Sequence, residues 1–82
     1  MSTRKDKFSK KDSFFMNLAF NLARQREGLT GENPSVGCVI VKNDRLIGLG
    51  QTGLNGRPHA EYNAIKSAKR KLEGSTLYVS LE

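Results

Sequence analysis

The chain has 82 residues and a formal net charge of +6, and 37% of its residues are hydrophobic. This length suffices for one small domain and excludes a second domain of ordinary size within these residues. A single cysteine excludes an internal disulfide, and no apolar run approaches the roughly 18 residues of a membrane-spanning helix.

The amino-terminal residues 1–11 are strongly basic, with lysine or arginine at five of these positions. A run of like charge is typical of a solvated tail. We therefore predict a disordered basic tail over residues 1–11 and a folded domain over residues 12–82. The basic start is not followed by the apolar core of a signal peptide, and with the lone cysteine this favours a reducing, cytoplasmic setting.

A first helix is predicted to begin near Asp12 or Ser13, because both residue types are good helix N-caps. Apolar residues then recur at helical spacing, at Phe15, Leu18, Ala19 and Leu22. Gly28 is a natural carboxy-terminal stop for this helix.

Two strands are predicted after a loop over residues 29–35. Val36–Val41 is a near-continuous apolar run, which is typical of a strand buried on both faces. Residues 42–45 form a turn, and Leu46–Gly50 returns as a second strand. The pair is therefore predicted to be a β-hairpin.

A second helix is predicted from His59 to Leu72, after a polar loop over residues 51–57. Pro58 suits a helix entry, and Gly74 suits its end. Residues 76–81 then have strong strand character. The order α-β-β-α-β predicts an α/β fold whose third strand pairs parallel to one hairpin strand through a helical crossover.

The segment Pro58-His59-Ala60-Glu61 is the strongest candidate for chemistry. Zinc deaminases need a neutral imidazole as a metal ligand and a nearby carboxylate that moves protons without binding the metal, in an H-x-E pattern followed by P-C-x-x-C. The pattern alone leaves another interpretation open. Glu61 can simply favour the positive end of a helix, and His59 can be an ordinary surface residue.

Four segments resemble, in the same order, the conserved motifs of the riboflavin-biosynthesis pyrimidine deaminases of the cytidine deaminase superfamily. Residues 33–41 fit N-P-x-V-G-[AC]-V-[IL]-V, residues 48–50 fit G-x-G, residues 56–61 fit G-[RE]-P-H-A-E, and residues 74–82 fit G-[AS]-T-x-Y-V-[ST]-L-E. The predicted first helix fits the opening helix of that family. The resemblance covers about residues 13–82.

This resemblance implies a cytidine deaminase-like three-layer α/β/α sandwich, of which only the first part, α-β-β-α-β, is present. It also implies zinc-dependent removal of the amino group from the pyrimidine ring of a phosphoribosylated diaminopyrimidine, a small-molecule ribotide, with release of ammonia. His59 matches the zinc ligand and Glu61 matches the proton shuttle. Asn33 matches the residue whose side-chain amide contacts the substrate base, and Thr52 and Ala60 fall at further substrate-binding positions.

Two features depart from the family pattern. Many members carry a histidine near the position of Thr52, and threonine cannot carry its charge. In the family, L-E is followed by P-C and a second cysteine, whereas here the sequence stops at Glu82. Cys38 falls on the buried strand and is expected to fill space. We therefore expect a truncated chain with an incomplete Zn²⁺ site and no activity of its own.

The resemblance further implies that the protein can form a homo-oligomer, and that NADPH is a cofactor only if a reductase domain follows. Three alternatives stay open. The nearest is a cytidine- or deoxycytidylate-type nucleotide deaminase, and the second is a non-catalytic deaminase-like module. A basic nucleic-acid binder is the third, but the clustering of charge in the first eleven residues argues against it, and neither nucleic acid nor a membrane is an expected partner.

Overall fold

The computed structural model describes residues 9–68 and 71–81, which form two helices and one three-stranded sheet. The helices are α1 (Lys10–Gln25) and α2 (Ala60–Ser67), and the strands are β1 (Val36–Lys42), β2 (Arg45–Gln51) and β3 (Thr76–Leu81), with a 3₁₀ turn at Leu54–Gly56 before α2. The order α-β-β-α-β confirms the predicted α/β class. No helix within the described residues is long and apolar enough to cross a membrane.

Helix α1 begins earlier than the sequence pattern predicts. Ser9 is the N-cap, and it forms a capping box with Asp12: the Ser9 hydroxyl accepts from the Asp12 N–H, and the Asp12 carboxylate accepts from the Ser9 N–H. Lys10 and Lys11 are therefore helical, and Lys11 pairs with Asp44 at 2.7 Å. The predicted start at Asp12 or Ser13 was wrong because the basic run concealed this cap; residues 1–8 of the predicted tail lie outside the described residues.

Strand β1 lies at the centre of the sheet, whose order is β2-β1-β3. β1 and β2 form the predicted antiparallel hairpin, joined by Asn43 and Asp44, both with positive φ, as a two-residue hairpin turn requires. β3 pairs with the other edge of β1 and is also antiparallel to it. The predicted parallel pairing was therefore wrong: α2 carries the chain from β2 across to the free edge of β1, so β3 runs in the same direction as β2 without contacting it.

The two helices cover opposite faces of the sheet, so alternate residues of β1 meet different partners. On one face, Val39 and Val41 pack with residues of α1 and β3; on the other, Cys38 and Ile40 pack with Ala60 and Ala64 of α2. This arrangement confirms the prediction that β1 is buried on both faces. The result is three layers, α1, sheet and α2.

Helix α2 lies unusually close to β2. A Cβ atom at Gly50 would stand 2.4 Å from the Ala64 nitrogen and 2.5 Å from the Ala60 oxygen, distances at which something must shift. Gly50 therefore permits the helix backbone to rest directly on the strand. The same device operates on the other face, where Gly37 accommodates the backbone of α1 at Ala19.

Helix α2 is shorter than predicted. It ends at Ser67, and Ala68 has an extended backbone with ψ 136°. The Ser67 hydroxyl bonds to the main chain of Leu49 on β2, so a tertiary contact holds the last turn of the helix. Leu72, the predicted end, instead follows the helix and packs beside the α2-facing core. Gly74, with φ +77°, belongs to the turn into β3 rather than to a helix end.

A hydrogen bond ties α1 to β3 across the other face. The Tyr78 hydroxyl donates to the Asp12 carboxylate, and the Tyr78 ring packs against Phe15. The bond to Asp12, together with burial, raises the pKa of Tyr78 to about 12. The same hydrogen bond lowers the pKa of Asp12, and the bond from the Ser9 N–H to the Asp12 carboxylate lowers it further.

Replacing Tyr78 with phenylalanine should change how stability depends on pH. The tyrosine contributes stability that is lost as pH rises from its ordinary pKa of 10.0 towards about 12, because the unfolded chain loses the proton first. The lowered pKa of Asp12 contributes stability that is lost as pH falls below 3.8. Urea unfolding measured at acidic, neutral and alkaline pH should show, at both extremes, a smaller loss of unfolding free energy in Tyr78→Phe than in the wild type. Tyr62→Phe, which removes an exposed hydroxyl, is the control; identical profiles for the two variants would contradict the assignment.

Candidate active site

A pocket of about 190 Å³ lies between the loop that precedes β1 and the amino-terminal end of α2. Its lining includes every site residue that the sequence predicts, namely Asn33, Thr52, His59, Ala60 and Glu61. Pro34 and Val36 complete the lining and supply its apolar side. Sequence reasoning did not assign these two a role, although both belong to the N-P-x-V motif that indicated the family.

His59 and Glu61 share this pocket because both stand at the start of α2. His59 is the N-cap, with an extended backbone, and its side chain makes no capping hydrogen bond. The imidazole nitrogens are therefore not committed to the helix. Glu61 lies in the first turn, where the unpaired N–H groups of the helix end favour a negative charge.

Two hydrogen bonds hold Asn33, one through its main chain and one through its side chain. Its carbonyl accepts from the Thr30 hydroxyl at 2.6 Å, and its side-chain nitrogen donates to the Gly56 carbonyl at 3.3 Å. Because the Nδ2 group is engaged there, the amide orientation is set and the Oδ1 atom is left to accept a hydrogen bond. The exposed side chain of Asn33 can thus present an acceptor to a molecule in the pocket.

Gly56 is the residue that makes room for Asn33. It has φ +90°, and a Cβ atom there would stand 2.1 Å from Asn33 Nδ2 and 2.7 Å from the Thr30 carbonyl oxygen. Both the backbone conformation and the close approach therefore favour glycine.

Thr52 is buried, with 2% of its surface exposed. Its hydroxyl accepts from the Val36 N–H at 2.9 Å and lies 3.3 Å from the Pro34 carbonyl oxygen. These bonds join the end of β2 to the loop that lines the pocket. The hydroxyl is thus engaged by the main chain, and Thr52 holds the pocket wall; its predicted contact with substrate stays a prediction.

Ala60 is fully buried and packs in the core beneath the pocket. It is the first residue of α2, where main-chain N–H groups have no partner within the helix. Its predicted part in substrate binding therefore falls to its backbone rather than to its methyl group, and this also stays a prediction.

Cys38 is fully buried in the core under α2 and does not line the pocket. Burial raises the pKa of the thiol to about 11, and the negative charge of Glu61 contributes further. A thiol must lose its proton to bind zinc, so this environment opposes metal binding. The space-filling role expected from the sequence agrees with this placement. The effect of the Glu61 charge on the Cys38 thiol is a tertiary feature that no sequence motif signals.

The residues at the pocket fit one part of a zinc site. His59 offers an imidazole and Glu61 offers a carboxylate beside it, but structural and catalytic zinc sites need three or four protein ligands. Within residues 9–68 and 71–81, no group of three or more His, Cys, Asp or Glu side chains could hold a metal ion. The described part of the chain therefore does not complete such a site.

Comparison with known proteins gives concordant matches. A family model described as the cytidine and deoxycytidylate deaminase zinc-binding region matches residues 9–82. The riboflavin biosynthesis protein RibD of Aquifex aeolicus is 48% identical over 71 residues, which are 87% of this chain and 20% of that protein. A diaminohydroxyphosphoribosylamino-pyrimidine deaminase of Buchnera aphidicola is 46% identical over 72 residues, which are 88% of this chain and 49% of that protein.

A solved structure agrees with these sequence matches. The diaminohydroxyphosphoribosylaminopyrimidine deaminase/5-amino-6-(5-phosphoribosylamino)uracil reductase of Thermotoga maritima superposes with a TM-score of 0.77 at 43% identity, covering 82% of this chain and 20% of that one. The chain thus spans between a fifth and a half of the length of these relatives.

Gly56→Ala should lower the unfolding free energy by more than the backbone strain at this positive φ accounts for, because the new Cβ atom would clash with Asn33. Gly74 provides the matched control, since it has a similar positive φ but open space around the Cβ position. We expect Gly74→Ala to cost about 1–2 kcal/mol of unfolding free energy, the usual strain of an L residue in this region. Gly56→Ala should cost clearly more and should shift the side-chain amide resonances of Asn33, measured by urea unfolding and NMR. Equal costs with unshifted Asn33 signals would show that the close contact has no consequence.

Proposed function

The chain belongs to the family of the cytidine and deoxycytidylate deaminase zinc-binding region, and from that premise we propose that it supplies the His59–Glu61 side of a deaminase active site in riboflavin biosynthesis. The proposed substrate is the diaminohydroxy-phosphoribosylaminopyrimidine ribotide, which loses its ring amino group by hydrolysis. One observation carries the proposal: the residues chosen from sequence motifs for this chemistry, although distant in the chain, line a single pocket.

The reaction exchanges a ring amino group for oxygen. Water forms a bond to the amino-bearing carbon, the carbon–nitrogen bond breaks, and ammonia leaves. The chemistry that a bound zinc ion supplies in such enzymes is the activation of that water. Glu61 accepts a proton from the water and delivers one to the departing nitrogen. His59 would be one ligand of that ion, and Asn33 would accept a hydrogen bond from the pyrimidine through its Oδ1 atom.

Two observations favour the diaminopyrimidine ribotide of riboflavin biosynthesis over deoxycytidylate as the substrate. The Aquifex and Buchnera relatives are named for riboflavin biosynthesis and for the diaminopyrimidine reaction. The Asn33–Val41 segment and the Gly56-Arg57-Pro58 passage also resemble that group. A deoxycytidylate-type activity is the second candidate, because the family model includes deoxycytidylate deaminases.

Further properties of the whole protein are proposals of the same kind. The Thermotoga relative is named as a reductase as well as a deaminase, and a reductase domain with NADPH would follow here if this protein shares that organisation. A homo-oligomer and a cytoplasmic location remain predictions from the sequence.

The chain of 82 residues alone should bind less than one equivalent of zinc and should not deaminate the diaminopyrimidine ribotide. The physical reason is that His59 is one ligand where three or four are needed. Equilibrium dialysis against zinc, followed by metal analysis, measures this directly. One equivalent retained through dialysis against a competing chelator would show that other residues of this chain complete the site.

A chimera tests the chemistry itself. This chain would replace the segment of the Thermotoga maritima protein that it matches, and ammonia release would be followed with the diaminopyrimidine ribotide and with deoxycytidylate. Glu61→Gln should lower kcat about 100- to 10,000-fold while zinc is retained, since it removes a proton-transfer group. His59→Ala should lose zinc as well.

The matched control is Glu73→Gln, the same substitution at an exposed residue that does not line the pocket. It should leave both zinc content and kcat unchanged. A zinc-loaded, folded chimera that acts on deoxycytidylate alone would favour the second candidate. A chimera without either activity would support a non-catalytic module.

A further inference from the structure

The first turn of α2 is attached to β2 by a side chain that no motif singled out. Asn63 donates from its Nδ2 atom to the Gln51 carbonyl at 2.7 Å, with a longer second contact to the Pro58 carbonyl at 3.4 Å. Its main-chain N–H also donates to the His59 carbonyl at 3.1 Å. Asn63 thus contacts both the end of β2 and the residues at which the chain enters α2.

The two carbonyls that face Asn63 Nδ2 belong to residues that each precede, in the chain, a residue of the pocket lining. Gln51 precedes Thr52, and Pro58 precedes His59. The Pro58 carbonyl accepts a further hydrogen bond from the Gly53 N–H at 2.8 Å. The Asn63 carboxamide therefore links the end of β2, which holds one wall of the pocket, to the helix entry that holds the other.

A second side chain, one turn later, makes a comparable attachment away from the pocket. The Ser67 hydroxyl accepts from the Leu49 N–H at 2.9 Å and lies 3.0 Å from the Leu49 carbonyl oxygen. Both side chains hold α2 against β2, but the partners of Asn63, Gln51 and Pro58, adjoin Thr52 and His59 of the pocket lining. Neither Ser67 nor Leu49 adjoins a lining residue. This difference separates fixing the helix from fixing the site.

Helix α2 has only eight residues, and a helix of this length is not stable by itself in water. Its placement is therefore set by tertiary contacts. Gly50 lets the helix approach β2, yet a contact with glycine has no directional preference that fixes rotation or sliding. The carboxamide supplies direction: it offers two N–H donors, and the geometry of a hydrogen bond limits where its acceptors can lie.

We propose that Asn63 is a positioning residue that sets where His59 and Glu61 stand relative to Thr52. It acts through these residues and does not itself line the pocket. The catalytic consequence rests on the proposed function, because only a deaminase would lose turnover when Glu61 moves. The placement can be measured without any activity.

The placement test uses NMR on the chain of 82 residues, in which His59 is the single histidine and gives one set of imidazole signals. Glu61→Gln should shift these signals in the wild-type background, since the two side chains share a pocket. In the Asn63→Leu background this response should fall by at least half, while the amide signals of Val39 and Ile40 on β1 stay in place. In the Ser67→Ala background it should persist.

A second variant guards against loss of folding in Asn63→Leu. Asn63→Asp keeps the size of the side chain and removes both N–H donors, and it should give the same reduced response. A full response to Glu61→Gln in a folded Asn63→Leu or Asn63→Asp chain would overturn the proposal, since the placement would then not depend on the carboxamide.

The catalytic test uses the chimera with the Thermotoga maritima protein. Asn63→Leu should lower kcat about 10-fold or more with unchanged zinc content and KM within twofold, because small displacements of reacting groups are costly. Ser67→Ala should stay within twofold of the parent in both constants. An active chimera in which Asn63→Leu matches the parent would overturn this proposal alone. An inactive parent chimera would overturn the proposed function and leave the NMR result standing.

Discussion

The close packing of α2 on β2 is the constraint on which the pocket depends. A Cβ atom at Gly50 would stand only 2.4 Å from the Ala64 nitrogen and 2.5 Å from the Ala60 oxygen, so the helix can pack this closely only against glycine. Since His59 and Glu61 stand at the start of this helix, a larger residue at position 50 would lift both away from the end of β2. The site thus depends on the lack of a side chain at Gly50. Side-chain hydrogen bonds then fix the orientation of α2, which close packing does not determine.

The two faces of the sheet serve different purposes. The α1 face is filled by large side chains, with Phe15 and Tyr78 in one buried cluster with Val39. The α2 face uses small residues, with Cys38 beside Ala60 and Ala64. Small residues there bring the charged helix end close to the sheet, and a neutral buried thiol is compatible with the carboxylate of Glu61 nearby because it adds no second charge.

Features encoded locally could be predicted from the sequence, and features set by distant contacts could not. The apolar run Val36–Val41 predicts the central strand, and the ordered motifs predict the residues that the pocket brings together. The direction of β3 depends on which edge of β1 remains free, which no local pattern contains. The end of α2 at Ser67 escaped prediction because apolar periodicity continues to Leu72, whereas a hydroxyl bond to β2 holds the last turn. The start of α1 escaped because charge, rather than the Ser9 cap, dominated the interpretation of the first residues.

The polar groups around the pocket divide into those that the fold uses and those that it leaves available. The Thr52 hydroxyl and the Asn33 Nδ2 atom bond to the main chain and define the walls. The Asn33 Oδ1 atom, the His59 ring and the Glu61 carboxylate face an exposed site where water can solvate them, so their being unpaired costs little stability. Thr52 adds no charge, so among the residues that line this pocket only His59 and Glu61 have acid–base side chains. The relative placement of these two residues is therefore the property on which the proposed proton transfer depends.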